Sequence, residues 1–302
     1  MSLRSHIAAA ALLTLLGASQ CWAGPVALVS NVDAVYRVDL AARQAVYLGD
    51  TGFYGGLPVA VEGLAYGPDG KLYAATDNLK SLFRVAPQTA QSSYVGALAI
   101  SGVPNSTNID PAFAITLDGR GWIASWAQNK LWQVDLSTGA TTLVGTLGSK
   151  ITGLAARGNE LFGAGSRGDE GLYRIDTQSG HATLINGFKS KIPYAASINL
   201  AFDEQNQLWA IVNYIPPQND NDVLPTWSDV AVINANTGTL VLQGPLTGPH
   251  ELERNPLQGF AIAAPHGGIV AEPIPATTPF GTAVLGALLA LAAFFQRRRF
   301  AR

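Results

Sequence analysis

Few residues of this 302-residue chain have the types and spacing that chemistry requires. The only cysteine, Cys21, lies in an N-terminal apolar segment, so the body carries no thiolate nucleophile, no disulfide and no Cys-ligated metal. His181, His250 and His266 are far apart and show no H-x-x-x-H or similar ligand spacing, so no zinc site is expected. Gly163-Ala164-Gly165-Ser166-Arg167-Gly168 fits G-x-G-x-x-G, but a dinucleotide loop must open a helix. Here the strand-like Leu172-Tyr173-Arg174-Ile175-Asp176 follows, and the motif reads as a hairpin loop. Asn219-Asp220-Asn221-Asp222 concentrates oxygen ligands of the kind calcium takes, yet the EF-hand spacing and closing Glu are missing, which leaves a solvated loop.

Five polar residues remain: Glu62, Asp110, Thr152, Asn199 and Gln258. Each stands just before a short strand of small apolar residues. Two carboxylates, two carboxamides and a hydroxyl can hold a polar ligand by hydrogen bonds. They can also hold a hard cation, calcium or magnesium rather than zinc, because no His or Cys stands among them. Either chemistry requires the chain to gather residues spread over almost two hundred positions.

The elements that could gather them repeat. "GLAYGPDGKLYAATDNLKSLFRVAPQTAQSSYVG", "AFAITLDGRGWIASWAQNKLWQVDLSTGATTLVG" and "GLAARGNELFGAGSRGDEGLYRIDTQSGHATLIN" share four parts. A small-apolar strand, a Gly turn and an aromatic-bearing strand come first. A Leu-aromatic-x-Val/Ile strand follows, then a turn into Thr-Leu-Val. "INLAFDEQNQLWAIV…DVAVINANTGTLVLQ" is a fourth copy with a long insertion. The third strand recurs at Tyr36, Phe83, Trp132, Tyr173 and Ala231, and the turns Asp135…Gly139, Asp176…Gly180 and Asn234…Gly238 are Asx-capped with Gly at positive φ. Four strands per repeat of 40 to 60 residues predict an all-β propeller. The N-terminal "VALVSNVDAVYRVDLAARQAVYLG" lacks a first strand and "LQGFAIA" is a first strand alone, so the two ends should share one blade and close the ring. That gives five blades over residues 24–270, or six if Ile269-Val270 starts another strand.

The repeats resemble NHL- and SMP-30-like propellers in general pattern. In SMP-30-like proteins a Glu of an E-G motif and an Asn of an N-G-L-A-F motif bind a divalent metal, and Glu62-Gly63-Leu64 and Asn199-Leu200-Ala201-Phe202 resemble these, the second without its Gly. The resemblance implies a calcium- or magnesium-dependent hydrolase or lactonase using Glu62 and Asn199. In a propeller the first strands line the channel and all enter from one face, so the five polar residues should converge at its mouth. The long connections 49–61, 97–111, 187–197 and 244–257 and the insertion 213–228 should lie on the same rim. Tyr73, Trp122, Phe162 and Trp209 recur once per blade and should pack between blades rather than stack a sugar.

The two ends carry an address. Arg4, the apolar run Ile7 to Leu16 and Cys21-Trp22-Ala23 have the order of a cleaved secretory signal over residues 1–23. After a linker, 271–279, the segment 280–302 holds the apolar run Phe280 to Phe295 and the arginines Arg297, Arg298 and Arg299. This order resembles the C-terminal sorting signals handled by exosortase-type enzymes in Gram-negative bacteria. Ile274-Pro275 and Phe280-Gly281 resemble the IPTL-CTERM variety, with Ala276 and Thr277 in place of Thr-Leu and Phe280 in place of Trp; Glu272-Pro273 echoes the PEP-CTERM class. The resemblance implies export, retention in the inner membrane by a C-terminal helix, then release to the cell surface or outside. Of 19 basic residues, Arg4 and the four tail arginines lie outside the body, leaving 14 against 21 acidic, a net of about −7. Such a body does not suit nucleic acid. The expected function is binding of an extracellular ligand or partner through the loop-rich face without catalysis. The metal-dependent hydrolase and a structural biofilm-matrix protein are the alternatives.

Overall fold

A computed structural model describes residues 24–262, except 105–106, 194, 215–226, 250–251 and 253–256. The expected signal, the linker, the sorting motif, Ile269-Val270, Asn219–Asp222, His250 and His266 lie outside the described residues.

The described chain forms five four-stranded antiparallel sheets. The first blade comprises β1 (Val26–Asn31), β2 (Ala34–Asp39), β3 (Gln44–Asp50) and, innermost, β22 (Phe260–Ile262) from the far end of the chain. A two-stranded hairpin, β4 (Phe53–Tyr54) and β5 (Leu57–Pro58), follows. The second blade is β6 (Val61–Tyr66), β7 (Leu72–Thr76), β8 (Ser81–Val85) and β9 (Ser92–Ala97). The third is β10 (Pro111–Ile115), β11 (Gly121–Ser125), β12 (Lys130–Val134) and β13 (Thr141–Thr146). The fourth is β14 (Ile151–Arg157), β15 (Glu160–Gly165), β16 (Gly171–Ile175) and β17 (Ala182–Gly187). The fifth is β18 (Ala195–Phe202), β19 (Leu208–Tyr214), β20 (Trp227–Ile233) and β21 (Leu240–Pro245).

The shared blade closes the ring as the sequence predicts. β22 pairs with β1 through Ala27↔Ile262, Leu28↔Ala261 and Val29↔Phe260. Ser30 reinforces the junction: its Oγ accepts from Gly259 N and donates to Val61 O of the second blade, both at 2.7 Å. The G-x-G-x-x-G stretch runs from β15 into its hairpin, with β16 and no helix after it.

Each blade is a thin sheet, and its apolar side chains are buried against its neighbours. The five buried clusters of the described residues each draw on two adjacent blades. The recurrent aromatics explain how. Tyr73, Trp122 and Phe162 of the second strands each face the following blade, and Trp209 packs at the fifth-to-first interface. Phe83, Trp132, Tyr173 and Tyr36 of the third strands face the preceding blade, with Ala231 taking the smaller share in the fifth. Indole N–H groups find partners inside: Trp122 Nε1 donates to Thr116 Oγ1 at 3.0 Å and Trp209 Nε1 to Asp203 Oδ2 at 2.7 Å.

A second repeated contact sets the spacing between blades. Every third-to-fourth-strand pair carries a β-bulge at the same place, between Val35/Tyr36, Leu82/Phe83, Leu131/Trp132, Leu172/Tyr173 and Val230/Ala231. The outer-strand residue next to it is Gly49, Gly96, Gly145, Asn186 or Gly244. Against this position rests the turn between the third and fourth strands of the next blade, an Asx turn for Gly96, Gly145 and Asn186. A Cβ at Gly96 would lie 1.7 Å from Thr138 O, and one at Gly145 1.9 Å from Ser179 O. Where Asn186 replaces the glycine, Gly238 of the next turn provides the room instead.

Gly145→Ala is therefore expected to force two blades apart and cost about 3 kcal/mol. Gly187→Ala, whose nearest neighbour would be Glu170 O at 3.7 Å, should stay within about 0.5 kcal/mol of the parent. Calorimetric melting of the two variants checks this; equal melting temperatures would refute the role given to the outer-strand glycine.

Candidate functional site

The channel differs at its two ends. One end is closed by apolar first-strand termini, Tyr66, Ile115, Ala156, Phe202 and Ile262, around a cavity of about 40 Å³. The other opens into a mouth of about 130 Å³, and all five polar residues singled out in the sequence line it: Glu62, Asp110, Thr152, Asn199 and Gln258. Five blades thus each deliver one residue to one cavity. Their positions need a correction. Only Asp110 and Gln258 precede their strands, whereas Glu62, Thr152 and Asn199 lie within β6, β14 and β18. The register slips at Glu62 and Thr152, between Val61/Gly63 and Ile151/Gly153, whereas in β18 it slips at Ala196, between Ala195/Ser197, and Asn199 pairs regularly with Ile211. These bulges extend the first strands further into the mouth than the sequence pattern indicates.

The five are not equivalent. Thr152 acts between blades: its Oγ1 donates to Ala164 O at 3.4 Å and accepts from Ile198 N at 3.1 Å. Asn199 Nδ2 donates to Leu257 O at 2.8 Å. Gln258 Oε1 is buried and has no hydrogen-bond partner among the described residues. Leu257, which sets the position of Gln258, is clamped by the fully buried Asn213. Nδ2 of Asn213 donates to Leu257 O at 2.7 Å and to Ser197 Oγ at 2.9 Å. Its Oδ1 accepts from Leu257 N at 3.1 Å and from Ser228 Oγ at 2.7 Å.

The acidic side of the mouth is built from the second and third blades. Burial, together with the carboxylates of Asp77 and Asp110, pushes the Glu62 carboxyl up to about 8, against the opposing pull of Lys80. Burial and Asp77 raise Asp110 as well, while Asn108, Arg167 and Trp126 oppose the rise. Asp77 is fixed by an ion pair with Lys80 and accepts from Ile109 N at 2.9 Å. Asp110 itself sits at φ 42°, a left-handed conformation made costlier by the proline that follows.

Beside the apolar Pro111, Ala196 and Leu257, three further residues line the mouth that the sequence pattern does not place there: Trp126, Arg167 and Ser197. Trp126 and Arg167 belong to hairpins between second and third strands, and the Arg167 guanidinium lies 4.3 Å from the Trp126 ring centroid. The Arg167 hairpin is anchored to β18 by Ser166 Oγ, which donates to Ala196 O at 2.8 Å. The signal was available in the rule that these hairpins share a rim with the first-strand entrances. It holds for short loops as well as for long ones. His181 stands at an exposed turn of the fourth blade and takes no part in the mouth.

No protein-family model matches the chain. No curated protein matches it. Solved structures do. A chain of a nidogen/laminin complex is 12% identical at TM-score 0.50, covering 80% of this chain and 100% of that one. A gluconolactonase of Xanthomonas campestris is 12% identical at TM-score 0.44, covering 74% and 77%. A virginiamycin B lyase of Staphylococcus aureus is 14% identical at TM-score 0.43, covering 80% and 92%. At such identities the likeness is one of fold.

Glu62 has a consequence for stability. Its folded pKa, about 8, lies above the ordinary 4.5, so the native state binds the proton more tightly than the unfolded chain. The native state is favoured below pH 4.5 and loses that advantage as pH rises towards 8. Glu62→Gln should therefore match the parent near pH 4.5 and exceed it at pH 8.5 by about 2 kcal/mol, after allowance for partial exposure. Denaturant unfolding at the two pH values measures the difference; a gap independent of pH would contradict it.

Proposed function

We propose that the protein is an exported, envelope-sorted β-propeller that binds a ligand through the mouth of its channel and does not catalyse a reaction. One observation carries this reading: residues from all five blades, together with Trp126 and Arg167, line a single polar cavity on the loop-rich rim. Long loops on a rigid ring are where binding residues are most freely placed. The test is a melting screen of the purified protein against small amines, sugars, carboxylates and divalent salts. At least one class should raise the melting temperature by mass action, and the double substitution Glu62→Gln/Arg167→Ala should cancel the rise. Indifference to every class would overturn the reading.

Export and sorting rest on the sequence resemblance alone. A chain ended before Ile274 should appear folded in the medium, while the full chain stays with the membrane fraction until processed. Equal partitioning of the two would remove the sorting role of the tail.

The second reading is a calcium- or magnesium-dependent hydrolase. Glu62 favours it, since a divalent ion would relieve the repulsion among Glu62, Asp77 and Asp110. The donor set fits such an ion only in part. Trp126 and Asn108 already hydrogen-bond Asp110, and no group of three or more His, Cys, Asp or Glu among the described residues is arranged to hold a metal. If this second reading holds, calcium should raise the melting temperature and Glu62→Gln should abolish the rise.

A further inference from the structure

The mouth contains acceptors that receive no hydrogen bond and lacks one positive charge. Glu62 receives no hydrogen bond from the described residues, and the buried Gln258 Oε1 receives none either. At the floor, one N–H of Asn199 Nδ2 is taken by Leu257 O and the Thr152 hydroxyl by Ala164 O, while Ser197 Oγ accepts from Asn213 Nδ2. A buried acceptor without a donor is costly, so an occupant that brings N–H or O–H groups is favoured.

The charges narrow the choice. The acidic groups bearing on Glu62 are Asp77, from the end of the second blade's β7, and Asp110, from the entrance of the third. Lys80, held by Asp77, and Arg167, over Trp126, are the cations that face them. The remaining lining residues, on the fourth, fifth and first blades, are uncharged. Three carboxylates therefore meet two cations. In the empty mouth the missing charge is supplied by a proton on Glu62, whose carboxyl is pushed up to about 8. A monocation restores balance where a divalent ion overshoots it. Size and lining exclude a bare alkali ion as the best fit, because about 130 Å³ walled partly by Pro111, Ala196 and Leu257 leaves room for an apolar stem.

We propose that the mouth binds a small primary alkylammonium ion, with its N–H groups donated to the Glu62 carboxylate and to Gln258 Oε1, which the carboxamide turns into the mouth to receive them. Its stem lies along Pro111, Ala196 and Leu257. This inference rests on the mouth being a ligand site. Binding displaces the Glu62 proton, so the exchange is one monocation in and one proton out, and the ligand binds more tightly as the solution becomes less acidic.

Isothermal titration of the purified protein with n-propylammonium chloride tests it, with n-propanol, potassium chloride and calcium chloride as parallel titrants. The association constant should rise about tenfold from pH 6 to pH 7 and level off above the Glu62 pKa of about 8. Near pH 7 about one proton should be released per ligand, read from the heats in two buffers of different ionisation enthalpy. Glu62→Gln, checked for unchanged cooperative melting, should weaken binding at least tenfold and flatten the pH profile. Gln258→Leu should weaken binding and keep the slope. The proposal fails if n-propylammonium binds no better than n-propanol at pH 8.5, or if the slope survives in Glu62→Gln. Uptake of calcium or potassium in its place overturns the ammonium and leaves the ligand-site reading standing. Silence towards all four titrants overturns the ammonium, and the broader melting screen then decides the ligand-site reading separately.

Discussion

No blade of this ring has a core of its own. Each four-stranded sheet is one layer thick, and each buried cluster of the described residues forms between two sheets. Hydrophobic burial, the main favourable term in folding, is thus available to a blade only through its neighbours on both sides. A linear stack would leave two faces bare, and the closed ring leaves none. The three-pair ladder between β1 and β22 converts the first arrangement into the second. The repeated bulge and outer-strand glycine then fix how closely each turn sits on the preceding blade.

The polar mouth follows from closure. Five first strands enter one channel from one side, so five sequence-distant positions become neighbours without any local motif. At the far end the same strands present Tyr66, Ile115, Phe202 and Ile262, and the channel is apolar there. The polar end gathers carboxylates from adjacent blades at close quarters, and burial prevents water from screening them. Glu62 responds by holding its proton to about 8. The electrostatic character of the site is a product of ring geometry, since none of its three carboxylates is a near neighbour in sequence of another.

Architecture was legible because every blade repeats the same pattern. The Gly turns and the second-strand aromatics Tyr73, Trp122 and Phe162 recur from blade to blade, and the orphan first strand at Phe260 completes the one blade that lacks it. The convergence of Glu62, Asp110, Thr152, Asn199 and Gln258 was legible for the same reason. Their individual conditions were not. Thr152 looks like a rim residue in sequence, yet its hydroxyl links two strands. Asn213 carries no motif, and its two-bond clamp on Leu257 depends on a partner 44 residues away. Trp126 and Arg167 stand in loops of ordinary composition, and only the shared rim joins them. What one sequence encodes weakly is the direction a side chain takes once a β-bulge has shifted the register beside it.

The latch of the ring has a consequence for how the chain is made. β22, only three residues long, is the last of the described strands in the order of synthesis, and its partner β1 is the first of them. A polypeptide emerging amino end first must therefore keep one side of β1 unpaired until almost the whole body has been translated. The second to fifth blades can assemble one upon another meanwhile, each adding an interface. The first blade waits. Chains broken off before Phe260 retain every repeat and still lack the strand that seals them, so an incomplete product bears an open β edge and is marked for aggregation or degradation. Completeness of the chain and closure of the ring are in this way a single event, a form of proofreading built into the order of the strands.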